Sequence, residues 1–415
     1  MSRLLLLFIC LTWMAGVSEP SVRGTVGDAR SIGEFLGAMP AVVLLAAAWS
    51  RLIARRVAGH NAGRCARRLG WVMIACRLFV VGWFAAGVFS LGWPHFVLTT
   101  LGAGRVESLR LPGLVIGTLP VLLAWVGLWW AQIPADQALR LQGQMDNLDD
   151  GLPVHRPPGR WASLASNVRL QVLFTVMPVM LIVAVQDATS LALRPLFDWR
   201  FAVADGAPEP ASVTALRGQV EAVLWLVAAG VVFVIAPEVL RRILQTSPLA
   251  DSPLRRRLEA LSRRSGIRCR DILVWRTHFN VGNAAVMGLL PRFRYVLLSD
   301  LLLERLSDEE IEAVFAHEVG HVVHRHMAWY VVFFLILMLL AVGPGTLVAD
   351  ALKQTAVAEQ YQPVLLLAAS AGAIWLVFGF LSRRFERQAD VYAARVMEAV
   401  RPPAGAAAAG AAALA

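Results

Sequence analysis

A mainly α, polytopic membrane protein with seven or eight transmembrane helices and one small α+β domain is the fold class that the sequence predicts. Three observations predict it. Of 415 residues, 57% are hydrophobic and only 16% charged, and the mean hydropathy of +0.60 lies well above that of water-soluble chains. Apolar stretches recur at about the 20-residue length that spans a bilayer core. Between them, only residues 241–326 carry long soluble patterning.

The net charge of +10 comes from arginines clustered beside the apolar stretches. That placement fits orientation in the bilayer and contact with lipid headgroups, and it argues against nucleic acid as a partner. Cys10, Cys65, Cys76 and Cys269 form no Cys-x-x-Cys pair, so neither a disulfide framework nor a thiolate zinc site is expected.

The first residues, Met1 to Gly16, carry Arg3 followed by a short apolar run and small residues, and read as a cleaved signal or a first anchor. Seven further spans are expected: Phe35 to Ile53, Leu78 to Leu98, Leu111 to Ala131, Leu170 to Gln186, Ala222 to Leu240, Met327 to Ala349 and Pro363 to Leu381. The fourth is the weakest, because its uninterrupted apolar part is short. Arg51, Arg55, Arg56, Arg64, Arg67 and Arg68 mark the loop after the first of these as cytoplasmic. Counting spans from there puts residues 241–326 on the same side, where Arg241, Arg242, Arg255, Arg256 and Arg257 lie. The last two spans form a hairpin that returns Arg383, Arg384 and Glu386 to that face of the cell (inner) membrane. The expected organisation is therefore a transmembrane region (1–240), a cytoplasmic domain (241–326), a transmembrane hairpin (327–382), a helix (383–400) and a low-complexity tail (401–415). A transporter would need ionisable groups in mid-membrane, and the apolar stretches offer almost none away from their ends.

Within 241–326, Leu254 to Arg264 has helical spacing, while Asp271 to Trp275, Tyr295 to Ser299 and, more weakly, Asn283 to Gly288 read as strands. Ser307-Asp308-Glu309-Glu310 is a capping box, so a helix starts there. That helix contains His317-Glu318-Val319-Gly320-His321 and is expected to run directly into the next span. Spacing of i, i+4 puts both imidazoles on one face, one turn apart, where they can share one zinc ion. Glu318 beside them is placed to take a proton from the attacking water and pass it to the leaving amine.

A catalytic zinc takes a third protein ligand and keeps a fourth position open. Glu386, returned to the same face by the hairpin, is the candidate third ligand, and Asp390 four residues on can hold a ligating histidine by hydrogen bond. His324 shares the face of His317 and His321, but a third histidine along one row sits too far from the metal, so it reads as a wall or structural residue. Met327 and His324 stand where the metzincin pattern needs His and Gly, which excludes that class. His60, His95, His155 and His278 have no sequence partner.

The run Asn283, Ala284, Ala285, Val286, Met287, Gly288, then Arg294 to Asp300, the His-Glu-x-x-His helix, two apolar spans and Glu386-x-x-x-Asp390, in that order, resembles the HtpX and CAAX prenyl protease (Ste24-like) family of integral-membrane zinc metallopeptidases. The resemblance covers residues 245–397; before them the likeness is only hydrophobicity. It implies a gluzincin-type catalytic domain, one Zn2+ per chain, and endopeptidase action on membrane or membrane-associated proteins. It also implies a substrate peptide held extended along Asn283 to Gly288, and strand addition suits backbones of varied sequence. In this pattern a further stretch after the Glu-x-x-x-Asp helix packs on the domain and donates to the transition state. Here the chain passes into Pro, Gly and Ala, so either the chain is truncated before that stretch or another residue donates, with Arg387 a candidate by proximity alone. The alternative reading is a zinc-binding but catalytically weak membrane protein with a binding or regulatory role.

Overall fold

The computed structural model describes residues 2–18, 20–57, 61–104, 109–149, 157–201, 211–279, 281–333 and 356–400, with the single positions 154 and 336. The chain separates into two compact units, Met1–Phe233 and Val234–Ala415.

The first unit is helical. Its main elements are α1 (Ser2–Ser18), α2 (Ala29–Arg56), α3 (Ala62–Phe89), α4 (Leu111–Asp149) and α5 (Phe174–Phe201). Five helices of the described residues are long and apolar enough to cross a membrane: Ala29–Arg56, Ala62–Phe89, Leu111–Asp149, Arg160–Leu193 and Gly218–Ile243. They cover the first, third, fourth and fifth of the seven expected spans, which makes this a membrane protein; the second, Leu78 to Leu98, is corrected to Ala62–Phe89, because the helix ends at Phe89 and Gly92 turns the chain at a left-handed φ of 74°. Most of Met327 to Ala349 lies outside the described residues, and Pro363 to Leu381 lies on a described helix whose side chains are described only in part. His60, His155 and the 401–415 tail also fall outside them.

This unit differs from a soluble bundle on its outer face, which is apolar like its interior. Phe35, Val80, Phe84, Trp125 and Leu128 fill the interior, whereas Leu44, Leu45 and Trp71 are about seven-tenths exposed. Such apolar outer faces are stable against lipid rather than water. Helix α1 is not a loose appendage, because Leu6, Ile9 and Trp13 are buried and Trp13 sits where a side chain at Gly117 would be. Buried Asp187 accepts from the backbone amides of Arg110 and Leu111 at 2.8–2.9 Å, so the N-terminal end of α4 is capped by a carboxylate from α5.

The second unit begins within α6 (Ala211–Ile243) and contains the α+β domain expected from sequence. Its strands are β1 (Thr246–Pro248), β2 (Asp271–Trp275), β3 (Ala284–Met287) and β4 (Tyr295–Ser299). They form one sheet in the order β1-β2-β4-β3, with β2 and β4 parallel and both outer pairs antiparallel. Its helices are α7 (Pro253–Arg264), α8 (Asp300–Arg305), α9 (Asp308–Val323), α10 (residues 326–333) and α11 (Ala356–Val400). Strand β1 and helix α8 were not read from the sequence.

The apolar faces of α7, α9 and the sheet meet in a core of Leu258, Leu261, Ile272, Val296, Leu298, Ile311, Phe315 and Val319, against which Tyr392, Val396 and Met397 of α11 also pack. Arg255 bridges α7 to β2 through Asp271 at 2.7 Å. Glu238, near the end of α6, accepts from the Tyr295 hydroxyl of β4 at 2.6 Å. Ser307 and Glu310 make the reciprocal capping box that the sequence predicts.

One expectation is corrected. Helix α9 does not continue directly into the next span: it ends at Val323, His324 caps it, and Arg325 takes a left-handed φ of 55° before α10 begins. The backbone therefore turns between 323 and 326.

Phe315 is fully buried at the centre of the second unit's core. Phe315→Ala is expected to destabilise this unit by about 3–5 kcal/mol through lost burial and a residual cavity, read as a lowered thermal midpoint of the detergent-solubilised protein. An unchanged midpoint would mean that this core does not hold the unit together.

Candidate active site

Helix α9 presents His317 and His321 one turn apart, and α11 lies across it at the level of both. The helices approach closely because position 320 is glycine: a Cβ there would stand 3.1 Å from the Ala389 Cα and 3.1 Å from the Tyr392 ring. Ala389 is fully buried in that contact. One turn before it on α11 comes Glu386, whose carboxylate reaches the two imidazoles.

Three donor atoms converge. His317 Nε2 and His321 Nε2 are 3.2 Å apart, and Glu386 Oε2 is 3.3 Å from the first and 3.8 Å from the second. A tetrahedral zinc with arms of about 2.0–2.1 Å requires ligand-to-ligand edges of about 3.3 Å, so this donor set fits that ion. It is the only such cluster among the described residues. Asp390 Oδ1 lies 2.9 Å from His317 Nδ1. With that nitrogen as donor, the Nε2 lone pair faces the other donors.

Glu318 points to the opposite side of the cluster, toward β3, and its Oε2 accepts from the Val286 amide at 3.1 Å. Burial pushes its carboxyl above the usual range, a tendency that His317 and the Val286 amide oppose. Burial also lowers the pKa of His321 and of His326, which favours neutral imidazoles.

Strand β3 is an edge of the sheet. Asn283 is engaged with Ser299 on both sides, its amide on the Ser299 hydroxyl at 2.9 Å and its carbonyl on the Ser299 amide at 3.0 Å. By strand alternation Ala285 and Met287 face β4, while Ala284 and Val286 turn their backbone groups outward, where Glu318 takes the Val286 amide. Gly288 ends the strand at φ 99° with the Phe293 carbonyl where a side chain would be, so only glycine fits. Asn283, Ala284, Ala285, Val286 and Gly288 line a cleft of about 1310 Å³ with His317, Glu318, His321, Glu386 and Asp390.

Residues 248–409 match the family model for peptidase family M48. The chain carries a peptidase family M48 domain. Over 139 residues it is 31% identical to a protease HtpX homolog from Aeropyrum pernix, a match covering 33% of this chain and 43% of that protein. It is 28% identical over 161 residues to the CAAX prenyl protease 1 homolog of Arabidopsis thaliana, covering 36% and 38%, and 28% over 158 residues to that of Oryza sativa subsp. japonica, covering 35% and 37%. The chain thus spans about two fifths of the length of the curated relatives it matches. The crystal structure of Ste24p from S. mikatae aligns over 90% of this chain and 89% of that one, with 15% identity and a TM-score of 0.44.

Within the M48 domain, the structure brings His317, Glu318, His321, Glu386 and Asp390 to one place and sets the 283–288 strand beside them. His324 stays outside the donor cluster, with its ring against Tyr392. Three participants were not singled out by the sequence reading: Gly320, the backbone amide of Val286, and a pair formed by His326 and Gln388. Gly320 stood in plain sight inside the motif; the others depend on contacts between elements.

If the Gly320 contact places Glu386, then Gly320→Leu pushes α11 away, since overpacking costs about 1–3 kcal/mol. Retention of a divalent metal is expected to fall about tenfold or more, measured as metal per chain after dialysis, with the sheet intact by circular dichroism. Undiminished metal in this variant would show that the close approach does not matter.

Proposed function

We propose that this protein is an integral-membrane, zinc-dependent endopeptidase that hydrolyses peptide bonds of membrane or membrane-associated proteins, with one zinc ion held by His317, His321 and Glu386. The observation that carries the reading is the convergence of those three donor atoms at 3.2–3.8 Å with a half-buried carboxylate, Glu318, next to them. The M48 match over the same residues supports it.

Zinc, when bound, supplies Lewis acidity that acidifies the attacking water and polarises the scissile carbonyl. The rest falls to the chain. Glu318 takes the proton of the attacking water and delivers it to the departing amine; its half-buried carboxyl holds a proton more readily than an exposed one, which suits both halves of the task. The Val286 amide aims the carboxylate. Asp390 fixes the ring of His317. The outward amide and carbonyl of Ala284 and the outward carbonyl of Val286 offer an extended peptide a strand to pair with, so recognition rests on main chain and tolerates varied side chains.

The arginine distribution supports placement of the site on the cytoplasmic face of the inner membrane. A cleft whose parent chain also carries five membrane-length helices meets substrates already held at the bilayer, and this favours membrane proteins over freely diffusing ones.

The test compares wild type with Glu318→Gln, both purified in detergent and supplied with casein or a model membrane substrate. Wild type is expected to cleave, and the variant to be slower by about 10²–10⁴-fold while each retains about one zinc per chain. Equal cleavage by the two would remove Glu318 as the base. Zinc retention without cleavage by wild type would replace this reading with a binding or regulatory role.

A further inference from the structure

The helix break after Val323 creates an arrangement that the hydrolytic mechanism above does not use. On an unbroken helix, His326 would lie five residues past His321 and about 140° around the axis, facing away from it. Because Arg325 is left-handed, the chain turns back, and His326 Nδ1 comes to 2.8 Å from His321 Nδ1. On its other side His326 Nε2 lies 3.0 Å from Oε1 of Gln388, a residue of α11 between Glu386 and Asp390. The His326 ring is clamped flat against Phe385, with centroids 4.2 Å apart and planes 4° from parallel, and the residue is almost wholly buried.

The direction of each hydrogen bond follows from the amide. A carbonyl oxygen only accepts, so His326 donates from Nε2 to Gln388. A neutral imidazole with its proton on Nε2 has a lone pair on Nδ1, so His326 accepts there, and His321 must donate from its own Nδ1. This leaves the His321 Nε2 lone pair facing Glu386 and His317, the orientation a metal ligand needs. The opposite tautomer of His321 would set two lone pairs against each other at 2.8 Å and turn an N–H toward the donor cluster.

We propose that His326 and Gln388 are positioning residues that set the tautomer and orientation of His321 as a metal ligand. Helix α11 then anchors the whole site from one face: Glu386 joins the donors, Asp390 holds His317 directly, and Gln388 holds His321 through His326. The inference rests on the zinc reading given above and adds two residues outside the His-Glu-x-x-His and Glu386-x-x-x-Asp390 patterns.

The experiment measures the zinc dissociation constant of the full-length detergent-solubilised protein by competition with a chelator, alongside the thermal midpoint of the metal-free form. His326→Phe keeps a flat ring on Phe385 but has no acceptor; His326→Asn places an amide oxygen near the position of Nδ1. The Phe variant is expected to bind zinc about 10–100-fold more weakly, the range found when outer partners of metal-bound histidines are removed, and the Asn variant to stay within about threefold of wild type. A role limited to packing predicts the reverse order.

Gln388 is exposed, so a second pair of variants perturbs folding little. Gln388→Leu is expected to weaken zinc about threefold to tenfold, and Gln388→Glu, which keeps an acceptor, to match wild type. Zinc affinity in His326→Phe equal to wild type, or an equal loss in His326→Asn and His326→Phe, overturns the relay while leaving the metal site intact. A wild-type chain that takes up no zinc overturns both the relay and the reading it rests on.

Discussion

The second unit depends on two helices lying closer together than ordinary side chains allow. Gly320 of α9 faces Ala389 and Tyr392 of α11, and a single added carbon there would meet both at 3.1 Å. Every polar feature of the site is referred to this contact. Glu386 is one turn of α11 to one side of it, Asp390 the next residue on the other, and both act on imidazoles that flank Gly320 in sequence. The apolar residues beyond, Tyr392, Val396 and Met397, pack on the domain core. Hydrophobic burial therefore fixes α11, and the polar groups come along at positions dictated by helical period.

The sheet supplies the other wall by an equally simple device. An edge strand presents alternate backbone groups to one side, and in β3 one of these amides is engaged by Glu318 rather than by another strand. One amide of this edge is therefore held by a side chain where a further strand would otherwise pair. This arrangement also ties the direction of the Glu318 carboxylate to the register of β3 on β4: slipping one residue would turn the Val286 amide inward and release Glu318.

What the sequence made legible was local or repetitive. The capping box at Ser307, the i, i+4 histidines, strands β2 and β4, and the first, third, fourth and fifth apolar spans all announce themselves through spacing within a few residues or through sustained composition. Glu386 and Asp390 were legible because the expected hairpin brings them back and because their own spacing repeats a helical turn. Strand β1 was not, since three residues ending in proline carry no alternation. His326 was illegible for a sharper reason: its place beside His321 exists only because Arg325 breaks the helix, and an arginine gives no warning of a left-handed turn. Gln388 is an unremarkable polar residue until the ring of His326 is placed opposite it.

The same break separates the two donor-bearing helices mechanically. Helix α9 is joined to α10 by the short turn at His324 and Arg325, whereas Glu386 rides on α11, an unbroken rod of 45 residues and about 68 Å. Because His326 opens α10 and meets His321 at 2.8 Å, a tilt of α10 is felt first at that histidine. Glu386 has its partners on a separate element, so its distance from the imidazoles is set by how α11 packs on α9 and not by the turn at His324 and Arg325.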